Sequence, residues 1–221
     1  STCALPICQV CVSVQRVYAE KSIARHLAEK IADVGNKMKI GDPTLDNTEI
    51  GPLIRHTETD RVDEWVQDAI NKGAECLSGG KKISDSCYPA TVLFNPPDDA
   101  IISQNEIFGP VISLIPYEDE DEVISMANDT DYGLTAGVWG MDIERANKMA
   151  QKLRAGTVFI NDWHMLNPNF PFGGYKQSGI GREGGIEGLY EFTEIKTVHI
   201  NIKRTREESF WFQLLLGNAD S

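Results

Sequence analysis

Apolar residues at Ile23, Leu27, Ile31 and Val34 recur every three or four positions, which predicts an amphipathic helix over 22–38, directly after a strand-like run at 16–19. A turn-rich loop carrying Gly41, Asp42, Pro43, Asp46 and Asn47 follows. Helical spacing returns over 56–73, where Val62, Trp65, Val66 and Ala69 share one face and Gly73 ends the run. Short apolar runs predict strands at 74–78, 90–94 and 111–116. The Gly79-Gly80-Lys81-Lys82 turn, a Pro97-Asp98-Asp99 loop and the segment 106–110 separate them. The acidic run 118–122 opens a helix to about Asn128, because carboxylates in a first turn meet the positive helix end. Strands at 134–140 and 156–160 bracket a helix over 142–154. Residues 161–181 carry Asn, Pro or Gly at nearly every turn and predict a long structured surface loop, a kind that usually carries function. The alternation predicts an α/β fold with a largely parallel sheet and flanking helices.

Composition narrows the chemistry. The 221 residues are enough for a core of their own. Lys and Arg number 21 against 33 Asp and Glu, a formal charge of -12, so a phosphate-tracking surface is not expected and nucleic acid is excluded as a partner. No apolar run approaches the roughly 18 residues that cross a bilayer, and no basic stretch followed by an apolar core opens the chain. The expectation is a cytoplasmic protein without a membrane partner. Five cysteines, three of them (Cys3, Cys8 and Cys11) within the first eleven residues, do not resemble a secreted disulfide framework. Reduced thiols follow, with Cys76 and Cys87 the other two. The first residue is Ser1 rather than Met, so the chain is expected to be part of something longer.

Cys11 is the first candidate for chemistry. A helical turn opening around it, ahead of the strand at Arg16, would lower the thiol pKa through backbone N–H groups and activate a nucleophile. A small buried hydrophobe is the plainer reading of the same residue. Cys8-Gln9-Val10-Cys11 also permits a redox pair, whereas a metal site would need a second Cys-x-x-Cys or a His pair, and neither is present. No metal site is expected.

Further segments follow in a fixed order: Asn105-Glu106-Ile107-Phe108-Gly109-Pro110, then Asp131-Tyr132-Gly133-Leu134-Thr135-Ala136-Gly137-Val138, then Pro171-Phe172-Gly173-Gly174-Tyr175-Lys176-Gln177-Ser178-Gly179-Ile180-Gly181-Arg182-Glu183. With Gln9-Val10-Cys11 ahead of them, the series resembles the catalytic half of the NAD(P)-dependent aldehyde dehydrogenase superfamily, over about residues 9–200. The resemblance implies an aldehyde dehydrogenase-like catalytic α/β domain at 9–193, with the family's cofactor domain absent. Ahead of it lies an atypical segment at 1–8. After it come a late strand for subunit contact at 194–202 and an atypical tail at 203–221.

The resemblance assigns roles residue by residue. Cys11 matches the nucleophile that attacks the aldehyde, giving a thiohemiacetal and then a thioester that water cleaves. Glu106 matches the carboxylate that accepts hydrogen bonds from the nicotinamide ribose, and Phe108 matches the residue packing near that ring. The loop flanked by Asn161 and Phe172 lines the substrate tunnel in the family, which makes Trp163, Phe170 and Phe172 substrate-binding candidates. His164 fits a surface loop better than catalysis. Arg182 with Glu194 reads as a structural pair. The implied cofactor is NAD or NADP, which needs the missing N-terminal domain. The implied partners are an aldehyde and either further copies of the chain or a cofactor domain.

The match breaks in three places. The family has Gly immediately before the Gln-x-Cys motif, and here that position is Cys8. The glycine-rich cofactor loop, the adenosine-binding lysine, the oxyanion asparagine and the glutamate general base all lie upstream of the cysteine in the family, and none is found here. The tail after Ile202 also departs, with Lys203, Arg204 and Arg206 ahead of Phe210-Trp211-Phe212-Gln213-Leu214-Leu215-Leu216. The sequence therefore predicts the catalytic domain of an aldehyde dehydrogenase, inactive alone. A non-catalytic relic acting as a binding or scaffold protein and a Cys8/Cys11 dithiol redox protein remain the alternatives.

Overall fold

The structure, a computed structural model, describes residues 9–205, 208–211 and 214. The 1–8 segment, the Cys8/Cys11 pair and most of the tail after 205 thus lie outside the described residues. Strand β1 (Arg16–Glu20) leads straight into helix α1 (Lys21–Gly35), and helix α2 (His56–Asn71) leads through Gly73 into β2 (Glu75–Ser78). Strand β3 (Thr91–Phe94), a single turn α3 (Ile101–Gln104) and β4 (Val111–Tyr117) complete the main sheet, whose order is β1-β4-β3-β2. The β1/β4 and β4/β3 pairs are parallel and β3/β2 is antiparallel. The sheet is mixed and mostly parallel, as the alternation predicted.

The two long helices cover opposite faces of this sheet, because neighbouring strand residues point to opposite sides. Leu93 and Val111 pack with Val62, Val66 and Ala69 of α2, whereas Leu114, Val17 and Phe94 pack with Ala24, Ala28 and Leu27 of α1. On α2 the expected face is buried, with Trp65 half-covered. On α1 the expected stripe is rotated. Ile23 and Val34 are more than half exposed, and the buried line is Ala24, Ala28, Ala32 and Gly35. Small residues at that spacing let the helix axis approach the sheet closely, and that closeness outweighs burying the two larger side chains.

Helix α4 (Glu120–Asn128) starts where the acidic run predicted, and Asp119 caps it by accepting from the Asp121 and Glu122 N–H groups at 2.9 and 3.0 Å. Helix α5 (Ile143–Lys152) is capped the same way by Asp142. The expected strand at 134–140 forms as the shorter β6 (Thr135–Val138), and a two-residue strand β5 (Tyr132–Gly133) precedes it. Strand β6 pairs in parallel with β7 (Thr157–Ile160), and β5 pairs antiparallel with β8 (Tyr175–Lys176), which falls inside the predicted loop. A short helix α6 (Gly185–Tyr190) follows. Residues 194–202, expected as a strand, pair with no strand among the described residues, and every one of them is exposed.

Burial divides the molecule unevenly. Both apolar cores draw on residues between Val17 and Val111 or Leu114. Among the described residues beyond Ala146 no large apolar side chain is fully covered, while Phe192 is 90% and Ile195 99% exposed. The expected consequence is measurable by denaturant midpoints: Leu114→Ala, which empties a fully buried site, should cost about 2–5 kcal/mol. Phe192→Ala should stay within about 0.5 kcal/mol of the parent chain.

Candidate active site

Register explains why the segments that carry Cys11 and Glu106 arrive together. Strands β1 and β4 run parallel with Arg16 opposite Ser113 and Glu20 opposite Tyr117, so the segments entering both strands arrive at the same sheet end. One of them carries Cys11 and the other carries Glu106. The ladder continues outward through the Ser113 N–H, which donates to the Gln15 carbonyl at 2.8 Å.

The first segment is a tight turn. The Ser13 N–H donates to the Val10 carbonyl at 2.9 Å, with buried Val12 anchoring the turn and Cys11 exposed on it. Gln9 ties the turn's other end down, its Oε1 accepting from the Ile54 N–H at 2.8 Å. The helical turn considered for Cys11 is this single turn and not the start of a helix, because β1 begins only five residues later. Cys76 has a different setting: it is half-buried, its thiol donates to the Ser78 carbonyl at 3.3 Å, and burial pushes its pKa up.

The second segment is held from both sides at Ile107, whose side chain is fully buried. Its N–H donates to Gln15 Oε1 at 3.0 Å, and its carbonyl accepts from the Arg61 guanidinium at 2.7 Å. Glu106 is half-buried beside these groups. Burial raises its carboxyl pKa, while the Arg61 charge and the Gln15 amide pull it back down by favouring the ionised form. Phe108 has φ 48°, a left-handed conformation that few side chains adopt without support. Gly109 packs so closely on Val62 that a Cβ would stand 2.9 Å from the Val62 methyl. A half-buried carboxylate can accept hydrogen bonds from a sugar diol, and Phe108 offers an adjacent aromatic face. Among the described residues no group of three or more His, Cys, Asp or Glu could hold a metal ion.

The later motifs have a different position. Lys176 Nζ donates to the Asn128 and Thr130 carbonyls at 2.7 and 2.9 Å, and the Gly133 N–H donates to Ser178 Oγ at 2.9 Å, so two of the ordered motifs bind each other. Burial and the nearby Arg154 charge lower the Lys176 pKa. Gly156 lies against the Gly173 carbonyl, where any Cβ would collide with the oxygen. Trp163 is half-buried, tilted against Phe159 at 5.6 Å. Phe172 is half-buried and exchanges two backbone bonds with Glu183, whereas Phe170 is exposed. His164 is half-buried and, like Asn161, has positive φ. Among the described residues no hydrogen bond or ring contact joins Trp163, Phe170 or Phe172 to Cys11 or Glu106.

One expected pairing is corrected. Arg182 does not meet Glu194; its guanidinium donates to the Gly174 and Gly181 carbonyls and stands 5.5 Å from the Tyr175 ring centroid. The carboxylate near it is Glu191, which accepts from the Arg182 backbone N–H at 3.2 Å. Gln15 and Arg61 were not singled out from the sequence. The one available signal was the Glu58, Arg61 and Trp65 spacing on α2, which places all three on one face.

Known proteins match most of this chain. Residues 7–198 match the Aldehyde dehydrogenase family. The chain is 40% identical over 200 residues to betaine aldehyde dehydrogenase of Brucella anthropi, a match covering 88% of this chain and 41% of that protein. It is 38% identical over 195 residues to 3-sulfolactaldehyde dehydrogenase of Priestia aryabhattai, with the same coverage. A Mycobacterium tuberculosis aldehyde dehydrogenase complexed with NAD+ superposes with a TM-score of 0.84 at 35% identity, covering 91% of this chain and 43% of that one. The chain thus spans about two fifths of the length of these relatives.

Exposure and environment together order the thiols. An alkylating reagent at neutral pH should label Cys11 ahead of Cys76 and Cys87 in the folded chain, read by peptide mass spectrometry. Faster labelling of Cys76 would remove Cys11 as the candidate nucleophile.

Proposed function

The chain belongs to the aldehyde dehydrogenase family, and from that premise we propose that it supplies the nucleophile-bearing part of an enzyme that oxidises an aldehyde to a carboxylic acid. The observation that carries this reading is the Gln15 bridge, which joins the Cys11 segment to the Glu106 loop.

In this reading the Cys11 thiolate adds to the aldehyde carbon, forming a carbon–sulfur bond and moving the carbonyl electron pair onto oxygen. NAD or NADP, when bound, would supply the acceptor for the hydride that leaves the thiohemiacetal carbon, which becomes a thioester. Water then cleaves the thioester, releasing the acid and the thiol. Glu106 would hold the nicotinamide ribose through its two acceptor oxygens, and Phe108 would pack beside the ring. The half-buried carboxylate fits that hydroxyl-bearing end of the dinucleotide. Trp163, Phe170 and Phe172 would shape the aldehyde's approach. The family's oxyanion donor, general base and dinucleotide loop lie upstream of the nucleophile, so those roles are assigned to no residue here. The exposed 194–202 segment would pair with a second subunit, since an unpaired strand invites association.

Substrate charge is not chosen by likeness. One relative's name specifies betaine aldehyde and another a sulfonated aldehyde, at 40% and 38% identity. Affinity for the cofactor should be poor in the 221-residue chain. One charged hydrogen-bond acceptor contributes about 1.5–3 kcal/mol, far below the roughly 8 kcal/mol of a micromolar complex.

Two measurements on the 221-residue chain test this reading. Calorimetric titration with NAD and NADP should give only weak binding, and aldehyde oxidation should be negligible. Slow hydrolysis of 4-nitrophenyl acetate should be present and should vanish in Cys11→Ala. Ester hydrolysis that survives Cys11→Ala would refute the nucleophile, and vigorous NAD-dependent oxidation would refute the division of roles.

A further inference from the structure

Ile107 is unusual in having both backbone polar atoms bound by side chains from elsewhere in the chain. Gln15 comes from the entry to β1 and Arg61 from the second turn of α2. We infer that Arg61 and Gln15 are positioning residues that clamp the Ile107 peptide from both sides and so fix where Glu106 and Phe108 point. The inference rests on the reading of Glu106 as the ribose contact and extends it to two residues that the family motifs do not include.

Arg61 is pre-organised for this work. Its guanidinium is held by Glu58 Oε2 at 2.9 and 3.0 Å and lies 4.5 Å from the Trp65 ring centroid, so the fork is aimed before it reaches the Ile107 carbonyl. A planar fork satisfies Glu58 and Ile107 together, which the point charge of a lysine does less well. The carbonyl it grips belongs to the peptide joining Ile107 to Phe108, and Phe108 is the residue in left-handed conformation. Such a conformation persists only when its surroundings over-determine it. Here they do: Ile107 is fully buried, both its polar atoms are bound, and Gly109 abuts Val62 on the other side.

The clamp also sets local charge. Arg61 and Gln15 are the two groups that favour ionised Glu106 against its burial, while Glu58 balances the Arg61 charge. A side chain that only filled space would leave that ionisation unchanged.

The test is an NMR study of the 221-residue chain, with the Glu106 carboxyl signal assigned by its loss in Glu106→Gln. In Arg61→Gln the Glu106 titration midpoint should rise. Ile107 amide exchange should quicken about fivefold to tenfold, the loss of roughly one hydrogen bond, while the β4 amides keep their protection. Gln15→Leu should have the same two effects. Arg61→Lys, which keeps the charge, should restore the midpoint toward that of the parent chain. An unmoved midpoint in Arg61→Gln overturns the inference. So does loss of protection across β4, which would make Arg61 a support of the whole domain. Neither readout involves cofactor, so the clamp can fail while the ribose reading stands. Conversely, both readouts can hold in a chain whose ribose contact lies elsewhere, so the clamp and the ribose reading fail separately.

Discussion

The parallel, in-register ladder between β1 and β4 is the constraint from which the candidate site follows. Parallel strands that start level with each other bring the chain segments before them to the same edge. Cys11 is five residues ahead of β1 and Glu106 five residues ahead of β4, and the two are 95 positions apart in sequence. A shift of one residue in that ladder would turn Leu114 from the α1 face to the α2 face and separate Gln15 from Ile107. The packing of both helices holds the register, because each face of the sheet buries a distinct apolar set.

The same sheet explains why the two parts of the chain differ in solidity. Strands β3 and β4 are covered on both faces and supply fully buried side chains such as Leu93, Val111 and Leu114. The part built on β5 to β8 depends instead on close backbone approach and side-chain anchors. Gly156 against Gly173, Lys176 on two carbonyls and Arg182 on two more hold the loops in place without an apolar core. These are directional interactions, each worth about 1 kcal/mol net, so geometry is kept while large apolar side chains stay in solvent.

Local pattern alone determined much. Helical spacing located α2 and its buried face, carboxylates located the start of α4, and apolar runs located β1, β3 and β4. The ordered motifs identified the family, since motif order is a property of sequence. Tertiary structure decided what local pattern has no means to encode. It chose Ala24, Ala28 and Ala32 over Ile23 and Val34 as the packed line of α1, because closeness to the sheet is a long-range gain. It made β8 out of a segment that reads as loop, because a two-residue strand exists only when β5 lies alongside. It gave Arg182 two carbonyls and a tyrosine in place of Glu194. Most of all, it brought Gln15 and Arg61 to Ile107: residues 92 and 46 positions away carry no periodic signal, and only the fold makes them neighbours.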